Sequence, residues 1–403
     1  MNMPELLAPA GSMESLRYAL MYGADAVYLA GRSYGMRAGA NNFDENELVS
    51  AAGLVHSFGK RLYLACNIVP RCHEMDGLAQ WLAFAASAGV DAFIISDLGV
   101  MRTAQRVAPN VPVHISTQTG VANHETATML HELGATRVVL ARELPLSEIA
   151  ELRAKTPSSL EIEAFVHGSM CVSFSGRCLI SNYLTGRDAN RGQCAQPCRW
   201  KYALVEETRP GQYMPVMEDE RGTHILNSRD MCMIDHIPEL LDAGITSLKI
   251  EGRAKSSYYT GVTVNAYRCV LDHLAANGMD APVPQWMTEE VCKVSHREYS
   301  TGFYFGDEPG QVYDNGGYVR EYEVAAVVES CDGTTMTVSQ RNRFCTGDLL
   351  EAVVPGRQPV EIAVTGMVNA EGEAIDAAPH PMMTVKLPCT ESFEAGVFLR
   401  RRK

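Results

Sequence analysis

Short apolar runs alternate with amphipathic stretches along the first two thirds of the chain. The runs Glu5–Pro9, Ala26–Ala30, Arg61–Asn67, Ala92–Ser96, Val111–Ser116, Arg137–Ala141, Leu160–Val166 and Ser247–Glu251 read as strands. Most are nearly continuous in hydrophobic residues, as suits strands buried on both faces of a parallel sheet. Helical periodicity falls between them, at Met13–Tyr22, Glu45–Phe58, Leu78–Ala88, Val100–Val107, Glu125–Leu133 and Ser147–Arg153, and again at Tyr258–Ala275. Eight strand–helix units over about 250 residues predict an α/β fold of the TIM (β/α)8 barrel type. An open doubly wound sheet would normally carry G-x-G-x-x-G after its first strand. The chain has Ala8-Pro9-Ala10-Gly11-Ser12 there, which favours the barrel.

Two intervals depart from this rhythm. About 80 residues separate the seventh and eighth strands, far beyond an ordinary βα loop, and insertions at the C-terminal ends of barrel strands usually carry function. From Tyr318 the texture becomes all-β: Tyr322–Glu329, Thr335–Gln340, Asp348–Val354, Glu361–Val368 and Met383–Lys386 are strand-like and separated by turns. The predicted organisation is a barrel over 1–276, a connector over 277–317 and a small β-barrel over 318–403, the last a candidate for docking RNA.

Hydrophobic residues make up 46% and charged residues 21% of the 403 positions, ordinary values for a globular protein. No apolar run approaches the ~20 residues of a membrane span, and the N-terminus reads as a first strand rather than a signal peptide. The expected location is therefore the cytoplasm, with no membrane partner. A net charge of −13 argues against nucleic-acid binding over the whole surface. It leaves room for local basic patches, and Arg341, Arg343 and the tail Arg400-Arg401-Arg402-Lys403 are the ones considered.

In a reducing compartment twelve cysteines suggest metal binding or chemistry rather than a disulfide framework. The long insertion holds Cys171, Cys178, Cys194, Cys198 and Cys232. Four thiolates so close in sequence suit an iron–sulfur cluster or tetrahedral zinc. The Cys-x2-Cys turn common in zinc knuckles is absent, while small neighbours such as Gly168, Ser169, Gly176 and Gly192 allow amides to approach cluster sulfur. Unligated core thiols are the third reading, and Cys232 either replaces one of the four or is a buried thiol beside them.

The run Glu163-Ala-Phe-Val-His-Gly-Ser-Met-Cys171, followed by Ser175-Gly-Arg-Cys178-Leu-Ile-Ser181, resembles the signature of the collagenase-like peptidase family U32. So do Asn190-Arg-Gly-Gln-Cys194-Ala-Gln-Pro-Cys198-Arg-Trp200, Leu226-Asn-Ser-Arg-Asp230, Ser247-Leu-Lys-Ile-Glu-Gly-Arg253 and Ser300-Thr-Gly-Phe303. The resemblance spans essentially the whole chain and is closest to the tRNA hydroxylation group of that family. It implies a 4Fe–4S cluster on Cys171, Cys178, Cys194 and Cys198, and oxygen-independent hydroxylation of tRNA uridine to 5-hydroxyuridine at the wobble position. It also implies prephenate as a co-substrate supplying the hydroxyl, and an electron-transfer or prephenate-linked partner. Other groups of the family act on a ribosomal cytidine or on the ubiquinone precursor ring.

A TIM barrel keeps its active site at the C-terminal strand ends. The residues expected there are Asn67, Asp97, Gln118, Arg142, Glu143, His167, Lys249, Glu251 and Arg253, with Arg37 in the loop after the second strand. Arg142 and Arg253 suit an anionic group, because guanidinium meets carboxylate or phosphate bidentately; their structural alternative is a salt bridge to Glu143 or Glu251. Arg37, Asn67, Gln118 and Lys249 complete the expected substrate-binding set, and His167 and Glu251 are the expected catalytic pair, although His167 could equally pack beneath the cysteine loop. Two further readings stand beside hydroxylation: a collagenase-like peptidase, and a non-catalytic RNA-binding or scaffold protein with a structural cluster. For the peptidase, no H-E-x-x-H appears at His73-Glu74, His124-Glu125 or His131-Glu132, and Cys66 is the one cysteine nucleophile considered.

Overall fold

The computed structural model describes residues 3–36, 42–170, 178–197, 229–306 and 318–403, together with four short backbone strand segments between 204 and 224. Eight parallel strands form the barrel: β1 (Glu5–Pro9), β2 (Ala26–Leu29), β3 (Arg61–Cys66), β4 (Ala92–Ile95), β5 (Val113–Ile115), β6 (Ala135–Val139), β7 (Glu161–Ser169) and β8 (Ser247–Ile250). Each pairs with its neighbour in sequence, and β8 closes the ring by pairing with both β7 and β1. The helices are α1 (Met13–Met21), α2 (Glu45–Ser57), α3 (Met75–Ser87), α4 (Leu98–Val107), α5 (His124–Glu132), α6 (Leu146–Lys155), α7 (Ile180–Thr185), α8 (Ile237–Asp242) and α9 (Ser257–Asn277). Their starts are set locally: Ser12, Asp97, Asn123 and Ser256 accept backbone amides as N-caps, and Asp44 with Glu47 forms a capping box.

The barrel interior is not purely apolar. Arg137 Nη1 on β6 donates to Glu5 (2.6 Å) and Glu163 (2.9 Å), and Lys249 Nζ on β8 donates to Glu163 (2.6 Å). Burial alone would push both carboxyls up; Arg137 and Lys249 hold Glu5 and Glu163 below the usual carboxylate value. A buried ladder of this kind needs every partner, because removing one leaves an uncompensated charge.

The long β7–β8 interval turns back on the barrel. The strand Asp230–Cys232 runs antiparallel to the end of β7, and Tyr299–Ser300 pairs beside it. The connector thus packs on the barrel, with Tyr304 Oη donating to the Phe165 carbonyl (2.5 Å).

Residues 318–403 form an eight-stranded antiparallel half-barrel with its own core around Met336, Phe344, Leu350 and Leu399. Its main strands are β9 (Tyr322–Cys331), β10 (Thr335–Gln340), β11 (Leu349–Val353), β12 (Val360–Ala363), β13 (Thr384–Pro388) and β14 (Phe398–Arg402). It sits against α1 and α9: Phe398 stacks on Tyr18 at 4.2 Å and meets Tyr258 edge-on at 5.3 Å, and Tyr22 Oη donates to the Val353 carbonyl.

The arginine-rich tail corrects a sequence expectation. Rather than a solvated phosphate-binding patch, it is strand β14. Arg400 is fully buried and grips Glu290 through two bonds of 2.7 and 2.8 Å, with Glu351 alongside at 2.6 Å. Arg401 is paired with Glu323 and Asp348, and Arg402 with Glu321. Residues 318–403 carry nine Lys and Arg against twelve Asp and Glu, so this domain offers no excess of positive charge.

Candidate functional site

Two glycines let the strand ends converge. A Cβ on Gly11, just after β1, would lie 1.9 Å from the Arg253 carbonyl oxygen. At Gly168, with φ +109°, it would lie 2.4 Å from the Glu251 carbonyl. Only glycine permits these approaches, and they bring the residues that follow β8 to the barrel mouth.

Around that mouth the polar residues form a linked rim. Arg253 donates to Asn42 Oδ1 (3.3 Å) and to the Met36 carbonyl. The Met36 amide donates to Asn67 Oδ1 (3.1 Å), and Asn67 Nδ2 reaches Ser116 Oγ (3.4 Å). Ser116 Oγ also accepts the Gln118 amide. On the other side Arg142 bridges β6 to β8 and β7, pairing with Glu251 at 3.1 Å and donating to the Ser169 carbonyl at 3.0 Å. Its guanidinium lies 3.8 Å from the centre of the Phe165 ring. Arg142 is buried, and its Nε has no hydrogen-bond partner among the described residues. A buried donor left open in a polar rim is suited to an acceptor on a ligand.

Of the expected site residues, the structure brings Asn67, Gln118, Arg142, Glu251 and Arg253 to this rim. Lys249 lies deeper, between Glu163 and the Tyr28 ring at 4.5 Å. Asp97 is occupied as the cap of α4. Arg37 lies outside the described residues. Sequence reasoning missed Asn42, Ser116 and Phe165, and also Ser96, whose Oγ donates to the Asn67 carbonyl at 2.9 Å; Ser96 and Ser116 are polar residues just beyond strand ends, a legible signal, whereas Asn42 lies in a long loop and Phe165 within β7.

His167 does not open onto the mouth. The pairing of β7 with β8 shifts register at this point, and the imidazole is enclosed by Tyr259, Tyr267 and Tyr299, with Tyr hydroxyls 3.4 Å from each ring nitrogen. Burial, with His296 and Lys255 nearby, pushes its pKa down to about 3. Here it is a neutral ring in a closed aromatic box. Cys232 lies on the paired strand beside the same box, its sulfur 4.0 Å from Tyr267 Oη, and burial pushes its thiol up to about 12. Cys66 is likewise buried and pushed up to about 12, which removes the thiolate a cysteine nucleophile needs.

Cys171 and Cys198 lie outside the described residues; Cys178 and Cys194 lie within them, both partly exposed. Ser181 Oγ, on α7, accepts the Ala195 amide at 2.9 Å and ties the two cysteine-bearing segments together. The Gln196 amide points at Cys194 Sγ, 3.4 Å away, as amides do toward cluster-bound thiolates. Arg191 clamps Glu74 through two bonds of 2.7 and 2.8 Å, anchoring this insertion to the loop after β3. The described half of the cysteine set therefore fits a thiolate site. Among the described residues no group of three or more His, Cys, Asp or Glu could hold a metal ion.

Residues 11–313 match peptidase family U32, and residues 320–400 match the C-terminal domain of peptidase family U32. The chain belongs to that family. It is 36% identical to tRNA hydroxylation protein P1 of Bacillus subtilis, over 99% of this chain and 95% of that protein. It is 35% identical to tRNA hydroxylation protein P of Escherichia coli, over 99% and 96%. It is also 37% identical to the 23S rRNA 5-hydroxycytidine C2501 synthase of Escherichia coli, over 66% of this chain and 39% of that enzyme.

Proposed function

We propose that this chain is an RNA-modifying hydroxylase acting on tRNA uridine, with 5-hydroxyuridine at the wobble position as its product. The observation that carries the reading is the near end-to-end similarity to tRNA hydroxylation proteins of two bacteria. The similarity to an rRNA hydroxycytidine synthase covers only part of that longer enzyme and supports hydroxylation of a pyrimidine in RNA more broadly. No helix among the described residues is long and apolar enough to cross a membrane; a tRNA substrate would be met in the cytoplasm, which is the location proposed.

Cys171, Cys178, Cys194 and Cys198 would hold a 4Fe–4S cluster, which supplies one-electron chemistry when bound; an electron-transfer partner would then complete the cycle. Prephenate is the proposed hydroxyl source. Its carboxylates suit Arg142, whose Nε is open, and Arg253, both at the rim. Glu251 holds Arg142 in place, and Asn67 and Gln118 supply neutral hydrogen-bonding groups beside it. The buried Cys66 and the absence of H-E-x-x-H from the sequence weigh against peptidase chemistry.

The test is mass spectrometry of tRNA nucleosides from a strain lacking the gene and from its parent. Hydroxylated uridine should be lost in the deletion strain; its persistence at the parental level, with no other pathway supplying it, would refute the proposal.

A further inference from the structure

The half-barrel domain holds a second cysteine arrangement, unconnected to the insertion. Cys331 ends β9, and Cys389 directly follows β13. Both strands pair with β10, one on each side, and the Cys389 amide donates to the Thr334 carbonyl in the β9–β10 turn. This geometry sets Cys331 Sγ 3.4 Å from Cys389 Sγ although they are 58 residues apart in the chain. Both thiols are partly exposed.

We propose that Cys331 and Cys389 are a redox-active dithiol, closing to a disulfide by exchange with a low-molecular-weight disulfide. The Cys331 thiolate attacks one sulfur of that disulfide, forming a mixed disulfide and releasing one small thiolate. Cys389 then gives up its proton to solvent and attacks Cys331 Sγ, expelling the second small thiolate. Two protein thiols are oxidised, and one small disulfide is reduced to two thiols.

The order of attack follows from the surroundings. Partial burial raises the Cys331 thiol, but the Gly333 and Phe393 amides and the Cys389 thiol outweigh it and hold Cys331 below the ordinary value. Cys389 is pushed up to about 11 by burial and by Cys331. The thiolate is the attacking species, so Cys331 attacks first and Cys389 resolves. The closed bond would staple β9 to the end of β13 across β10 and constrain a long loop of the unfolded chain.

The full chain, prepared anaerobically, should be exposed to graded oxidised glutathione, alkylated and mapped by peptide mass spectrometry. The peptide linking Cys331 to Cys389 should be the first protein disulfide to appear. Cys389→Ser should trap glutathione on Cys331, whereas Cys331→Ser should slow glutathione uptake at Cys389 by about tenfold or more. Appearance of another cysteine pair first, or an unresolved glutathione adduct on Cys331 in the unsubstituted chain, would overturn the proposal.

Discussion

Arg400→Met tests how the two domains are joined. Arg400 is fully buried and Glu290 is 1% exposed, and their bidentate contact spans 110 residues of sequence. Met fills much of the same volume but leaves the Glu290 carboxylate with Lys293 Nζ at 3.0 Å as its remaining ion-pair partner among the described residues. Breaking a buried pair from one side typically costs about 3–5 kcal/mol. Lys293 softens this, so a loss near 3 kcal/mol is expected. Glu351, 24% exposed, can rehydrate and adds little. The assay is denaturant unfolding of the full chain, followed by far-UV dichroism, for the unsubstituted protein, Arg400→Met, Glu290→Gln and the double variant. Glu290→Gln in the Arg400→Met background should recover much of the loss, because it removes the stranded charge; a coupling of several kcal/mol is then the signature of the contact. A loss below about 1 kcal/mol for Arg400→Met, or strict additivity in the double variant, would refute the argument.

Three further outcomes follow from the same geometry. In the unfolded chain the His167 imidazole protonates near 6.5, whereas in the folded chain burial holds it at about 3. Between those values the unfolded state binds the extra proton, so stability is full above pH 6.5 and falls as pH drops toward 3, by up to about 1.4 kcal/mol per unit; His167→Phe should reduce the slope between pH 6.5 and 5 and leave the share of His114, which burial also holds well below its ordinary value, and an unchanged slope would contradict the closed box. Gly11→Ala drives a Cβ into the Arg253 carbonyl and should cut tRNA hydroxylation about tenfold or more, while Gly53→Ala, with open space around it, should not; equal activities would dissociate Arg253 from the site. Cys194→Ala should abolish iron in anaerobically purified protein while Cys232→Ala keeps it, by iron and sulfide analysis; full iron in the Cys194 variant would remove it from the ligand set.

Much of the barrel was legible because its strands are nearly pure apolar runs and its helices have clear period and caps. Predicted strands such as Arg61–Asn67 and Ser247–Glu251 end within one residue of β3 and β8. The rim was legible too, since polar residues at strand ends are conspicuous against an apolar run. What the sequence hid depends on distant partners. Arg400 reads as a solvated tail residue until Glu290 is seen beneath it. Lys249 stands close to rim residues in sequence yet belongs to the interior ladder with Glu163. His167 stands near the cysteine loop, but a register shift in β7 turns it into the tyrosine box. The Cys331–Cys389 pair follows from strand order, which local pattern does not encode.

Hydroxylation of tRNA uridine by this chain, as proposed, depends on its cysteine-bearing insertion. The most direct measurement returns the gene to a deletion strain as the unsubstituted chain or as Cys194→Ala, and quantifies 5-hydroxyuridine-type nucleosides in purified tRNA by mass spectrometry. The unsubstituted chain should restore the nucleoside and the variant should not, at equal protein level; restoration by both, or by neither, would contradict that role.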